Sequence, residues 1–169
     1  MSKADPLSQT IIINESCRIK YSKEDVYRIF GIPCSGRSVY ENGIPSKEVL
    51  SKVMSLYLGG DGKQQRSIKV AQGVIERDYG SVMTAQQQDS FKVAFVIYVM
   101  STLLAPGAKY DCPSVDYWNA IGVPSDIDKY DWAEYVIRKL FDAVLKVKSD
   151  LKGNVKGPLI TGCTLFLQG

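Results

Sequence analysis

The sequence predicts a mainly α fold, a single helical domain of about six or seven helices with a small N-terminal β-hairpin. Three observations carry that expectation. Apolar residues recur at helical spacing in several separate segments, the longest spanning residues 131 to 152. Serine, aspartate, glycine and proline stand where those segments begin and end. Short runs rich in isoleucine gather before residue 22 around a turn-prone stretch. At 169 residues the chain is long enough to bury about two-thirds of its unfolded surface around one core, and no repeat or linker divides it.

The first element is TIIINESCRIKYS, where Ile11 to Ile13 and Arg18 to Tyr21 read as paired strands around Asn14, Glu15 and Ser16. In SKEDVYRIFGIP, Ser22 caps a helix, Glu24 and Asp25 occupy its first turn, and Val26, Ile29 and Phe30 form its apolar face. Gly31 and Pro33 end it, because glycine tolerates the left-handed conformation past a helix and proline cannot continue one. A second helix, SKEVLSKVMSLYL, opens at Pro45 and Ser46 and closes at GGDGK. RSIKVAQGVIERDYG is a third, interrupted by Gly73.

The most hydrophobic stretch is VAFVIYVMSTLLA, residues 93 to 105. Thirteen helical residues rise only about 20 Å, short of a bilayer core of about 30 Å, so no membrane span is expected here. A helix apolar on every side belongs at the buried centre of a domain. SVDYWNAIG should form a short helix capped by Ser114. In residues 131 to 152, Asp131 and Glu134 have capping-box spacing, and Trp132, Val136, Leu140, Val144, Val147 and Leu151 make one stripe. PLITGCTLFLQG closes the chain as a last short helix that packs Leu159, Cys163, Phe166 and Leu167 on the core.

The formal charge is +3, from 21 basic and 18 acidic residues, too slight to imply a nucleic-acid partner without clustering. The basic residues Arg138, Lys139, Lys146, Lys148 and Lys152 on the longest helix suit solvent and the helix dipole. Cys17, Cys34, Cys112 and Cys163 are widely spaced, and the sequence contains no histidine. Reduced thiols are therefore expected in a cytoplasmic or nuclear protein, with no disulfide framework and no zinc site. Without histidine, Cys-His and Ser-His pairs are impossible, and a nucleophile would need a lysine, a carboxylate or a helix N-terminus.

Two short motifs invite a catalytic reading and do not sustain it. GGDGK at 59 to 63 has Tyr57 and Gln64 where a phosphate-binding Walker loop needs glycine and a hydroxyl. GIPCSGRS at 31 to 38 has Tyr40 six positions after Cys34, where a phosphatase-type loop needs arginine. Arg37 lies three residues from Cys34, so a small anion nest stays open beside the turn reading. Asp111, Asp116, Asp126, Asp128 and Asp131 match neither a calcium loop nor a helical ligand pair, and capping roles explain most of them. No cofactor or metal is expected.

The blocks KYSKEDVYRIFGIPCSGRSV, DSFKVAFVIYVMSTLLAP, DYWNAIG, KYDWAEYVIRKLFDAVLKVKSDLKG and ITGCTLFLQ, in that order, resemble a transposon-related family of cereal proteins. That family is similar to the aminotransferase-like plant mobile domain, and the resemblance runs over roughly residues 18 to 168. It implies no aminotransferase site despite the label. Longer relatives often join such a region to an Ulp1-like cysteine protease, whose His, Asp and Cys machinery has no counterpart here. The chain stops at LFLQG where relatives tend to continue, so it is expected to be a shortened family member or an excised domain.

These readings lead to a non-catalytic domain, domesticated from a plant transposon, that acts by binding a protein partner. The protective half of a toxin and antidote pair is one form this could take. Tyr110, Tyr117, Trp118 and Tyr130 are the candidate partner-binding residues, since aromatic side chains dominate binding hot spots. For Trp118 and Trp132 the core is the competing expectation. Nucleic-acid binding through the basic run from Arg138 to Lys156 is the alternative function, and an enzyme built on lysine or carboxylate stands third. A spare apolar stripe would also permit a homodimer.

Overall fold

The computed structural model describes residues 4–5, 9–12, 18–59, 66–153, 155 and 161–167. Among them the chain is mainly helical, as the sequence predicts. Six α-helices, α1 (Lys23–Phe30), α2 (Lys47–Lys52), α3 (Ile68–Ile75), α4 (Ala85–Val99), α5 (Trp118–Ile121) and α6 (Trp132–Lys152), enclose one core. α2 and α4 each run on into a π-helical turn, Val53–Tyr57 and Met100–Leu104, and 3-10 turns lie at Pro124–Lys129 and Thr164–Leu167.

At the N-terminus, β2 (Thr10–Ile12) and β3 (Arg18–Lys20) pair antiparallel, with Ile11 opposite Ile19. This is the expected hairpin, while its turn at Asn14 to Ser16, and Cys17, fall outside the described residues. A third strand, β1 (Ala4–Asp5), adds to β2. Two residues are too few to leave a periodic signal in the sequence.

α1 starts where the chemistry of Ser22 and Asp25 dictates. Asp25 accepts a hydrogen bond from the Ser22 backbone N–H at 2.9 Å, which satisfies a donor that the first helical turn leaves unpaired. Gly31 ends the helix in the left-handed conformation (φ 68°), and its N–H donates to the Tyr27 carbonyl at 2.7 Å. The following residues do more than turn. They lie along the start of α6, where Ala133 N–H donates to the Pro33 carbonyl at 2.9 Å. β4 (Arg37–Ser38) then pairs in parallel with β5 (Tyr130–Asp131). Gly36 (φ 112°) makes this crossing possible, because a Cβ there would run into the Lys129 carbonyl.

Three helical expectations are corrected. α4 begins at Ala85, eight residues before the apolar run, and is capped by Thr84, whose Oγ1 accepts from Gln87 N–H at 3.2 Å while Gln87 Oε1 accepts from Thr84 N–H at 2.8 Å. The polar first turns face water and so hide inside a search for apolar periodicity. Ser114 does not cap α5; its hydroxyl donates to Asp116 at 2.6 Å, and the helix opens at Trp118. In the last segment, Cys163 and Phe166 are buried as expected, on a 3-10 turn, with Phe166 edge-on to Tyr21 at 5.2 Å. Leu159 lies outside the described residues.

α6 packs on α1 and β4 and buries Trp132, Val136, Leu140 and Val147 of the expected stripe, with Tyr135 buried beside it, while Val144 is partly buried and Leu151 half exposed. Its N-cap is Asp131, which accepts from Glu134 N–H at 2.8 Å. α4 packs chiefly against α3 and inserts Val93, Ala94 and Ile97 into the core. Full burial of a valine or isoleucine side chain such as Val93 or Ile97 contributes about 1.5–3 kcal/mol. No described helix is long and apolar enough to cross a membrane.

Candidate functional site: an apolar cleft beside the fourth helix

The stretch that the sequence assigns wholly to the buried centre is not covered all round. α4 packs α3 with one face and leaves another open, where Phe95 is 50% exposed. On that face lies a cleft of about 470 Å³. That volume falls within the range of small-molecule pockets.

One wall is α4 and its π turn, which supply Lys92, Phe95, Val96, Val99, Met100 and Leu104. Their spacing is that of one helical face. The opposite wall is Ile32 and Pro33, from the turn after α1, with Pro124, Ser125, Ile127 and Asp128 from the 3-10 segment. Trp132, Met100, Leu104 and Pro124 are buried and form the floor; Phe95, Lys92 and Asp128 stand at the rim.

The cleft is rigidly supported. Trp132 Nε1 donates to the Ile127 carbonyl at 2.6 Å, which ties the floor to the 3-10 wall. Tyr117, Tyr130 and Tyr135 pack edge-on to the same indole, with centroids 6.1 to 6.5 Å away. On the other wall Phe95 stacks on Phe91 at 6.2 Å, and Phe91 meets Tyr79 edge-on. Ala105 N–H reaches the Met100 carbonyl at 2.8 Å across the π turn, which keeps Met100 and Leu104 on the cleft side.

The four aromatic candidates separate. Tyr110 is 89% exposed, with Lys69 Nζ 5.9 Å from its ring centroid. Its neighbour Asp111 holds a left-handed conformation (φ 50°) and caps α3 by accepting from Ser67 Oγ at 2.7 Å and Lys69 N–H at 2.9 Å. Those bonds hold the Asp111 carboxyl below the usual range, Ser67 contributing most. Tyr117, Trp118 and Tyr130, by contrast, are 1%, 0% and 4% exposed, and as core residues they cannot form a surface patch with Tyr110. Local sequence shows an aromatic residue beside a loop; only packing shows which side of it is covered.

Ser101 Oγ, Tyr117 Oη and Trp118 Nε1 are buried without a hydrogen bond of good geometry, the Tyr117 hydroxyl lying beside the other two. Nearby, the carboxylate of Asp116 is fully engaged. It accepts from Ser114, from Tyr135 Oη at 2.9 Å and from Lys139, with which it forms an ion pair. Burial pushes the Asp116 pKa up, but these hydrogen bonds and the Lys139 charge outweigh it, and the carboxyl is held below its ordinary value.

Arg37 and Cys34 do not form a reaction centre together. The Arg37 guanidinium pairs with Glu41 and Asp126 and lies 4.3 Å from the centre of the Tyr130 ring, while Cys34 packs on the core. The basic run is also partly spent: Arg138 pairs with Glu134 and covers Tyr40, and Lys139 is bound to Asp116. The GGDGK loop beyond Gly59, and Lys156, lie outside the described residues. Among those described, no group of His, Cys, Asp or Glu could hold a metal ion.

Among the described residues the helical domain thus presents an open, well-supported apolar cleft. The chain belongs to the family of domains of unknown function DUF8566, whose model matches residues 1–168. No curated protein and no solved structure matches it.

Proposed function

We propose that this chain is a non-catalytic protein-interaction domain that receives apolar side chains of a partner protein in the cleft between α4 and the 3-10 segment Pro124–Lys129. The observation that carries the reading is the cleft itself, an exposed apolar surface on rigid walls with charge confined to its rim. Rigid walls favour affinity, because little conformational freedom is lost on binding. The engagement of Arg37, Asp116 and Lys139 in structural ion pairs also supports a binding role over a chemical one.

The resemblance to the plant mobile domain supports a transposon-derived origin in plants, and a protective role in a toxin and antidote pair is one biological form of such binding. The test is affinity capture from plant lysate with wild-type protein and with a folded Phe95→Glu variant, each with and without nuclease. A protein held by the wild type after nuclease, and lost from Phe95→Glu, supports the reading. Partners that vanish with nuclease favour nucleic-acid binding, and capture indifferent to Phe95→Glu removes the cleft from the function.

A further inference from the structure

The geometry points to an amphipathic α-helix with a basic flank as the occupant of this cleft, an inference that rests on the cleft being the partner site. The α4 wall offers apolar side chains from Phe95 to Leu104, a helical stretch about 14 Å long. Two to three turns of helix match that length, reading the cleft through anchors at i, i+3 or i+4, and i+7. An extended peptide fits less well. The walls are a helix, a turn and a 3-10 segment, so among the described residues no sheet edge lines the cleft to pair with an extended backbone, whereas a helix satisfies its own N–H and C=O groups.

Charge sets the orientation and the flank. Of the two charged rim residues, Lys92 has Asp89 beside it at 4.0 Å. Asp128 stands on the opposite wall, exposed, and its neighbour Asp126 takes both nearby cations, Arg37 at 3.6 Å and Lys129 at 2.6 Å. The Asp128 carboxylate is left without a partner among the described residues. A helix that places Lys or Arg beside its apolar stripe completes that wall. An acidic helix is repelled by it, so the rim selects among partners more than it adds affinity.

The experiment is selection of displayed 14-residue peptides of randomised sequence on the immobilised full chain, followed by fluorescence anisotropy of the enriched peptides. The expected peptides carry apolar residues at helical spacing with Lys or Arg on one flank, and gain helical circular dichroism on binding. Phe95→Glu should abolish their binding. Asp128→Asn should weaken it about threefold, and Asp128→Lys should reverse the preference toward acidic flanks. Peptides lost on Phe95→Glu but indifferent to Asp128→Lys, or lacking helical spacing, would overturn the basic-helix inference and leave the cleft reading intact. Enrichment that Phe95→Glu does not disturb would overturn both. Concentration-dependent dimerisation of the chain that Phe95→Glu disperses would show a second copy as the occupant and overturn the partner helix.

Discussion

Lys23 Nζ and the carboxylate of Asp131, 108 positions apart in the chain, meet at 2.5 Å. The Asp131 side chain is 5% exposed and also caps α6, so one carboxylate fixes both the start of the longest helix and its contact with α1. Lys23→Ala leaves that buried charge unpaired. Because Lys23 itself is more than one-third exposed, solvent screens part of the loss, and a drop of about 1–2 kcal/mol is expected from urea denaturation. Asp131→Ala should cost more, since it removes the cap as well. The hydrogen bond to Asp131, opposed by desolvation, raises the Lys23 pKa above 10.5. Its stabilisation is therefore complete below pH 10.5 and is lost as pH rises through the higher folded value.

Gly36 predicts a contrast with another glycine of positive φ. Gly36→Ala should destabilise by about 2 kcal/mol or more, since the new methyl meets the Lys129 carbonyl and forces β4 away from β5. Gly43 (φ 62°) has nothing within 4 Å of its would-be Cβ, so Gly43→Ala should cost only the conformational strain, about 1 kcal/mol. Thermal melts of the two variants check the difference. Equal losses would mean that contact with Lys129 has no part in it.

Two buried tyrosines should respond differently to loss of the hydroxyl. Tyr117 Oη lies beside Ser101 and Trp118 but makes no hydrogen bond of good geometry, so Tyr117→Phe removes a poorly satisfied polar group and should be close to neutral. Tyr135 Oη serves the partly buried Asp116, so Tyr135→Phe should destabilise by about 1–2 kcal/mol. Chemical denaturation of the pair decides this, and a large loss at Tyr117 would point to a partner for its hydroxyl.

Acid should weaken the fold partly through Asp116. Burial opposes ionisation, yet Lys139, Ser114 and Tyr135 hold its folded pKa below 3.8. A depressed carboxylate stabilises the fold above its unfolded pKa and loses that contribution as pH falls toward the folded value. Lys139→Met should therefore raise the midpoint of acid unfolding, measured by circular dichroism between pH 5 and 2. An unchanged midpoint would show that Asp116 does not govern this limb.

The helical architecture was legible because its signals are local. Ser22, Gly31 and Asp131 mark helix ends through hydrogen bonds to residues a few positions away, and the stripe of α6 announces its own buried face. The candidate site was much less legible. Tyr110 and Tyr117 look alike in sequence, yet one is 89% and the other 1% exposed. Phe95, Val99 and Met100 lie in a run apolar all round, which carries no record of which side a neighbour covers.

Periodicity and end-capping chemistry thus settle where this chain is helical, because a hydrogen-bonded turn and its apolar face are written within a few residues. Tertiary packing alone decides that GIPCSGRS crosses the Lys129 carbonyl, that Lys23 finds Asp131, and that α4 keeps an open face. Each of those depends on residues far apart in the chain arriving at one place. Burial and pairing are properties of that meeting, with no trace in either segment taken separately.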